Sequence, residues 1–182
     1  MMDRKIIENS AFERVDFTKI PLAKCEYENG NFFVCDFSNS SLAGIAFLNC
    51  RFNGPNLSMA KLTRTIYSDT QFIDCKRLGL RFGNCVQLAL SIGKENCNLN
   101  HSSFYKTIPG NAPFKNSRLH EMDFAESDLS HSVFANYDLD GSAFENTNRE
   151  RADLRSAFNY NIDPDKDRIR KAKFSLDGVP AY

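Results

Sequence analysis

The chain has no tryptophan, no long apolar run and no excess of charge of either sign. Its 182 residues include 23 Lys plus Arg and 23 Asp plus Glu, so the net charge is zero. No run approaches the roughly 20 apolar residues that cross a bilayer, and the first residues lack the apolar core of a secretory signal. A balanced charge also argues against a generally basic nucleic-acid binder. We therefore expect a soluble cytoplasmic protein with no membrane and no direct nucleic-acid partner.

The six cysteines form no CxxC pair, and five of them are separated by multiples of five residues: Cys25, Cys35, Cys50, Cys75 and Cys85. Zinc sites use closely spaced ligand pairs and have no reason to follow such a period. The cysteines therefore belong to a structural repeat, and we expect neither a metal nor another cofactor.

A large apolar residue recurs every five positions, a spacing that fits neither a helix nor a flat strand. From Phe12 to Phe82, fourteen of fifteen such centres are Phe, Leu or Tyr. The register slips by two residues between Cys85 and Leu99, and ten of the next twelve centres are Phe or Leu. Thirteen of the sixteen phenylalanines occupy this one slot.

A smaller residue, usually Cys, Ser or Ala, lies two positions before each centre. In extended chain these two residues point to the same side. A five-residue unit that buries both and then turns is one side of a coil, and four sides close a turn. The predicted core includes Cys25, Cys35, Cys50, Cys75, Cys85, Cys97, Phe32, Phe37, Phe52, Phe72, Phe124 and Phe144. Column neighbours differ by twenty residues and no two cysteines do, which favours buried free thiols over disulfides.

These units resemble the pentapeptide-repeat family, with ADLRS (152–156), CDFSN (35–39) and SDLSH (127–131) among the best copies. The resemblance covers about residues 10–158 and implies an all-β fold, a right-handed quadrilateral β-helix of about seven coils. The predicted organisation is a β-helix over residues 1–158 and a short C-terminal segment, 159–182, that caps the coil or forms a dimer.

Four features break the repeat. Arg77 and Arg149 occupy centre slots, where an unpaired guanidinium would be very costly, so we expect bulges that turn both outward. Residues 86–96 contain the register slip, and residues 105–113 place Pro109 at a centre, where it removes a ladder hydrogen bond. We expect both segments to form loops, which are either tolerated irregularities or contacts to a partner.

No residue pattern points to catalysis. The sequence has no GxSxG, no HExxH and no glycine-rich phosphate loop. His101, His120 and His131 fall at outward positions of their repeats, where nothing shields a metal site. We therefore expect that the protein is not an enzyme.

The charge is unevenly distributed along the chain. Residues 121–148 contain seven acids and no Lys or Arg, whereas residues 1–120 contain 15 basic and 10 acidic groups. Folded onto a four-sided coil, most of these acids fall on two adjacent sides. We call this set the acidic flank, and it consists of Glu121, Asp123, Glu126, Asp138, Asp140 and Glu145.

Two hypotheses follow for function. The first is a non-catalytic scaffold that binds a protein partner. The second comes from a resemblance to the quinolone-resistance (Qnr-type) subgroup, which implies a DNA mimic that binds DNA gyrase or topoisomerase IV and protects it from quinolones. That resemblance also implies a homodimer through the C-terminal end, although the rest of this rod is neutral to basic.

Overall fold

The computed structural model describes residues 5–75, 79–109 and 114–175, which wind into the predicted right-handed, four-sided β-helix. Parallel pairing joins residues twenty apart, so that Phe12, Phe32, Phe52 and Phe72 lie one above another. We number the four sides by the centres of one coil. Side 1 contains Phe32, and sides 2, 3 and 4 contain Phe37, Leu42 and Phe47.

Regular strands occupy sides 1 and 4. Side 4 has the strand order β1-β3-β5-β7, and side 1 has the order β10-β9-β8-β6-β4-β2. The strands are β1 (Ile6–Glu8), β2 (Ala11–Glu13), β3 (Glu26–Glu28), β4 (Asn31–Phe33), β5 (Ala46–Leu48), β6 (Arg51–Asn53), β7 (Ile66–Ser68), β8 (Thr70–Ile73), β9 (Ile92–Glu95) and β10 (Phe114–Lys115). The helical segments of the described chain are two 3-10 turns, Phe82–Asn84 and Gln87–Ala89.

The six strands of side 1 span five turns, fewer than the seven coils predicted. The difference arises because isolated parallel bridges, rather than strands, carry the pairing elsewhere. One such series joins Asp128 to Asn148 and Asn148 to Arg168.

Columns of aromatic rings fill the interior. Phe32 stacks on Phe52 with a centroid separation of 4.6 Å, and Phe52 stacks on Phe72 at 5.0 Å. Rings from neighbouring sides meet edge to face, as Phe32 and Phe37 do at 5.9 Å. All twelve residues named above as core are buried, and the six cysteines are free. The burial of this many large side chains is the main stabilising term of the fold.

A left-handed backbone residue lies at most corners, two positions after the centre. Asn29, Asn39 and Asn49 have φ values of 54°, 56° and 52°. Asn, Asp and Gly tolerate this conformation, whereas a β-branched side chain crowds the backbone there. Val34, with φ at 51°, is such a strained exception.

The register slip takes place between Val86 and Ser91. The connection here is two residues longer than in a regular coil. Thr70 therefore pairs with Ile92, 22 positions on, instead of with the residue 20 positions on. The Gln87 side-chain amide fixes the loop by donating to the carbonyls of Phe82 and Cys85, both at 3.0 Å. The predicted irregularity at 86–96 is therefore correct only for its first part, because Ile92–Glu95 forms β9.

The slip aligns Lys94 with Phe72 below it and Phe114 above it. Lys94 thus fills a centre slot and is only 2% exposed. Its Nζ lies 4.4 Å from the centroid of the Phe114 ring and 5.2 Å from that of Phe104, and it donates to the Ile92 carbonyl at 3.3 Å. Burial lowers the pKa of Lys94 to about 7. Sequence reasoning missed this lysine because it placed the resumed register only from Leu99.

The slip also overturns the expectation that no two cysteines are column neighbours. Because Ile73 pairs with Glu95, Cys75 and Cys97 follow on adjacent coils although they differ by 22 residues. The Asn98 amide donates to the Cys75 carbonyl at 2.8 Å, so the two backbones stay paired at this point.

Arg149 corrects a second expectation, because its guanidinium is not turned outward. It is completely buried in the centre slot, 4.6 Å above the Phe144 ring, and pairs with the Asp167 carboxylate. Its Nη1 also donates to the Asn161 carbonyl at 2.9 Å. The tail after residue 158 therefore supplies the partner that the sequence alone did not reveal.

The segment around Asp167 leads into residues 168–173, which continue the parallel pairing, since Asn148 bridges to Arg168 and Asp153 to Lys173. Asp167 accepts hydrogen bonds from the amides of Thr147 at 3.2 Å and Asp163 at 3.1 Å. Tyr160 and Ile162 of the same segment are buried. The predicted cap over residues 159–182 stays a prediction, because pairing continues to Lys173 and residues 176–182 lie outside the described residues.

Two other breaks are only partly described. Arg77 lies outside the described residues, so its predicted bulge stays a prediction. Pro109 is buried rather than displaced outward, while Ile108 beside it is 63% exposed. The remainder of the predicted loop, residues 110–113, lies outside the described residues.

Replacing Val34 by Asn should stabilise the protein by about 1 kcal/mol, because Asn tolerates the left-handed corner and its amide can still donate to Asn53. The measurement is the free energy of unfolding in urea. The reverse change at a matched corner, Asn39→Val, should destabilise by a similar amount. A loss of stability in Val34→Asn would contradict the assigned strain.

Replacing Asp167 by Ala should lower the free energy of unfolding by about 3–5 kcal/mol, because it leaves the Arg149 guanidinium buried without its counter-charge. The double variant Arg149→Met, Asp167→Leu should lose much less than Asp167→Ala, since it removes both charges together. The free energy of unfolding in urea is measured for wild type and the two variants. Equal losses for the single and double variants would show that the unpaired guanidinium is not what destabilises Asp167→Ala.

Candidate interaction surface

The acidic flank lies on sides 2 and 3 of the C-terminal coils. Backbone pairing brings its members together across coils: the Glu121 amide donates to the Asp140 carbonyl at 2.8 Å, and the Glu126 amide donates to the Glu145 carbonyl at 2.9 Å. Each carboxylate follows or precedes a buried centre and therefore points away from the core. The structure thus brings the six predicted residues onto two adjoining outer faces.

Half of these carboxylates have a basic neighbour. His101 Nδ1 lies 3.0 Å from Glu121 Oε2, and His120 Nε2 lies 3.2 Å from Asp138 Oδ2. Lys106 Nζ lies 3.3 Å from Glu126 Oε2. Of these neighbours only Lys106 is a permanent cation, so it offsets one of the six negative charges of the flank.

The hydroxyl of Tyr105 donates to Glu126 at 2.9 Å. This hydrogen bond, followed by the contact with Lys106, lowers the pKa of Glu126 below its usual value. Because the side chains of Glu126 and Lys106 are both exposed to solvent, their ion pair contributes little to stability. It keeps the carboxylate charged at the edge of the flank.

The other three carboxylates form no ion pair with any described residue. Asp123 accepts a hydrogen bond from the Ser103 hydroxyl at 2.8 Å, a neutral donor that leaves its charge uncompensated. Asp140 on side 2 and Glu145 on side 3 are both exposed to solvent. These three residues are the flank carboxylates outside any ion pair, although Glu145 is attracted at longer range to Lys166.

Side 3 changes sign along the rod. On its N-terminal coils, Lys24, Lys61, Arg64 and Arg81 are exposed and form no ion pair with a described residue. Asp123, Glu126 and Glu145 follow on the C-terminal coils of the same side. A shallow surface groove, whose lining includes Lys61, Arg81, Tyr105, Lys106 and Asp123, lies where the two regions meet.

This basic face was not recognised from the sequence, because charges were added by chain segment rather than by side. Assigning each charged residue to its side, with a period of twenty residues and two more at the slip, would have revealed the basic face. Side 3 is therefore positively charged towards the N-terminal end of the rod and negatively charged towards the C-terminal end.

Across residues 5–75, 79–109 and 114–175, no three His, Cys, Asp or Glu side chains are grouped so that they could hold a metal ion. None of the described helical segments is long and apolar enough to cross a membrane.

Comparisons with known proteins agree with the repeat. The family model described as pentapeptide repeats (8 copies) matches residues 31–66. No curated protein sequence matches the chain.

Among solved structures, the chain is similar to HetL, a pentapeptide repeat protein involved in heterocyst differentiation regulation from the cyanobacterium Nostoc sp. strain PCC 7120. The identity is 16%, the match covers 98% of this chain and 87% of HetL, and the TM-score is 0.66. A trypsin-treated form of QnrB1, a plasmid-mediated fluoroquinolone resistance protein, has 20% identity over 93% of this chain and 91% of that chain, with a TM-score of 0.46. At these identities the likeness to HetL concerns the fold. By its five-residue repeat and its four-sided coil the chain is similar to pentapeptide-repeat proteins, and that family's model matches it over residues 31–66.

Proposed function

We propose that the protein is a non-catalytic scaffold that binds a protein partner through the acidic flank. The observation that carries this proposal is the group of outward carboxylates without ion pairs, Asp123, Asp140 and Glu145, on adjoining faces of two successive coils. Their complement is a basic surface on the partner, which such charges would attract and orient.

The fold suits this role because the flank is mounted on closely packed layers. Phe124 stacks on Phe144 with a centroid separation of 5.3 Å, directly beneath the side 3 carboxylates. A binding surface on a rigid core loses little conformational entropy when the partner docks. Pentapeptide-repeat solenoids are also generally non-catalytic, which agrees with this reading.

The proposal predicts that neutralising the three free carboxylates abolishes partner capture. The variant Asp123→Asn, Asp140→Asn, Glu145→Gln should lose at least one protein that the immobilised wild-type chain retains saturably from a cell extract. The charge-matched control Glu8→Gln, Glu13→Gln, Glu28→Gln lies on sides 1 and 4 and should retain it. Quantitative mass spectrometry of the bound fractions is the measurement. Equal retention by all three proteins, or by none, would contradict a role for the flank.

A second candidate, protection of a type II topoisomerase by mimicry of DNA, also rests on the acidic flank. DNA presents about one negative charge per 1.7 Å along its whole axis, whereas side 3 of this rod carries Lys61, Arg64 and Arg81 on its N-terminal coils. That change of sign favours the general scaffold over the mimic. The homodimer predicted through the C-terminal end stays a prediction, because residues 176–182 lie outside the described residues.

A gyrase supercoiling assay with a fluoroquinolone present separates the two candidates. Titration of the wild-type chain should restore supercoiling if the mimic is correct, and the triple flank variant should not, whereas the Glu8, Glu13, Glu28 control should. Under the general scaffold, none of the three proteins restores supercoiling, provided that circular dichroism shows each to be folded.

A further inference from the structure

One pair of cysteines is aligned on adjacent coils inside the solenoid. Ile73 pairs with Glu95 just before the two cysteines, and the Asn98 amide donates to the Cys75 carbonyl at 2.8 Å just after them. Cys75 and Cys97 are therefore neighbours in one column. Paired strands lie about 4.8 Å apart, a backbone separation within the range of disulfide-bonded cysteines. Both side chains are buried in the column of small residues.

The other four cysteines have no such neighbour. Cys50 lies between Gly30 and Thr70, and an added Cβ on Gly30 would come within 3.3 Å of the Cys50 sulfur. Cys25 has Ile45 on the next coil, because Glu26 pairs with Ala46. Cys85 likewise follows Thr65, whose carbonyl accepts from the Val86 amide. The two-residue slip is therefore what creates the Cys75–Cys97 pair.

The pKa of the Cys97 thiol is lowered, mainly by its interaction with the Cys75 side chain, while burial opposes this and the nearby Lys94 ammonium contributes least. In the reduced state the Cys97 sulfur donates to the carbonyls of Phe72 at 3.4 Å and Glu95 at 3.3 Å. The interaction with the Cys97 side chain, together with burial, raises the pKa of Cys75. Lys94 is buried without a carboxylate partner and is held between Phe104 and Phe114, so its position is fixed by packing. A thiolate is the form that reacts with peroxides.

We propose that Cys75 and Cys97 are a peroxide-oxidised site, closed as a disulfide across two coils. The Cys97 thiolate attacks one oxygen of hydrogen peroxide, which breaks the O–O bond, gives Cys97 sulfenic acid and releases hydroxide. The Cys75 sulfur then attacks the Cys97 sulfur, the S–O bond breaks, and the Cys75 proton leaves with the oxygen as water. Overall, two thiols and one peroxide give one disulfide and two waters.

The disulfide would lock the irregular part of the coil. It closes the segment from Cys75 to Cys97, which contains the loop from Val86 to Ser91 and the fully exposed Leu88. A covalent link across this segment restricts the unfolded chain, and should raise the midpoint of thermal unfolding by roughly 6–12 °C.

The test uses the reduced full chain exposed to hydrogen peroxide in its folded state. Free thiols are then alkylated in denaturant, and the protein is digested without reductant for mass spectrometry. We expect a linked peptide pair containing Cys75 and Cys97, reversible by dithiothreitol, while Cys25, Cys35, Cys50 and Cys85 remain alkylated. Six equally alkylated cysteines, or a link that involves another cysteine, would overturn the proposal.

Matched variants assign the roles within the pair. Cys97→Ser and Cys75→Ser should each abolish the link, and both should fold because Ser occupies the same slot at Ser102 and Ser127. Cys50→Ser, an equally buried change, should leave the link and its rate unaltered. Lys94→Met keeps an unbranched side chain of similar length and should slow oxidation at neutral pH about twofold, since with a pKa of about 7 Lys94 is only partly charged there. An unchanged rate in Lys94→Met would refute the role given to its ammonium.

Discussion

The stacking of each ring on the ring one coil below holds this protein together and fixes its geometry. Phe12, Phe32, Phe52 and Phe72 form one continuous pile, with centroid separations between 4.6 and 5.1 Å. The spacing of stacked rings matches that of paired strands, so aromatic packing and backbone pairing support each other at every turn. A side chain that is not an aromatic or aliphatic residue can enter such a pile only with a specific partner.

Lys94 and Arg149 show two ways of meeting that condition. Arg149 is matched by the Asp167 carboxylate and the Asn161 carbonyl, both supplied by the C-terminal tail. Lys94 has no carboxylate, and is accommodated by the faces of two phenylalanine rings and by a pKa lowered to about 7. The arginine therefore holds the segment after residue 158 against the coil, whereas the lysine is a buried amine that the fold tolerates near Cys97.

The outer faces have a different logic from the core. Outward positions are free of packing constraints, so their charges vary from coil to coil, and side 3 passes from Lys61 and Arg81 to Asp123 and Glu145 along one face. In such a solenoid the buried positions repeat to preserve the fold, whereas the outward positions can vary independently and determine what the surface binds. A partner bound to the acidic flank would therefore meet positive charge further along side 3.

The sequence by itself determined the four-sided coil, since a five-residue period of Phe and Leu can be buried in no flat strand or straight helix. It also located the acidic flank, because outward positions follow directly from the same period. Only the tertiary structure decided the environment of Arg149, because its partner Asp167 lies beyond the repeat and has no period to reveal it. The same holds for Cys75 and Cys97. Their alignment depends on how many residues the loop at Val86–Ser91 inserts between two coils, and that number is set by the local folding of the loop rather than by the repeat.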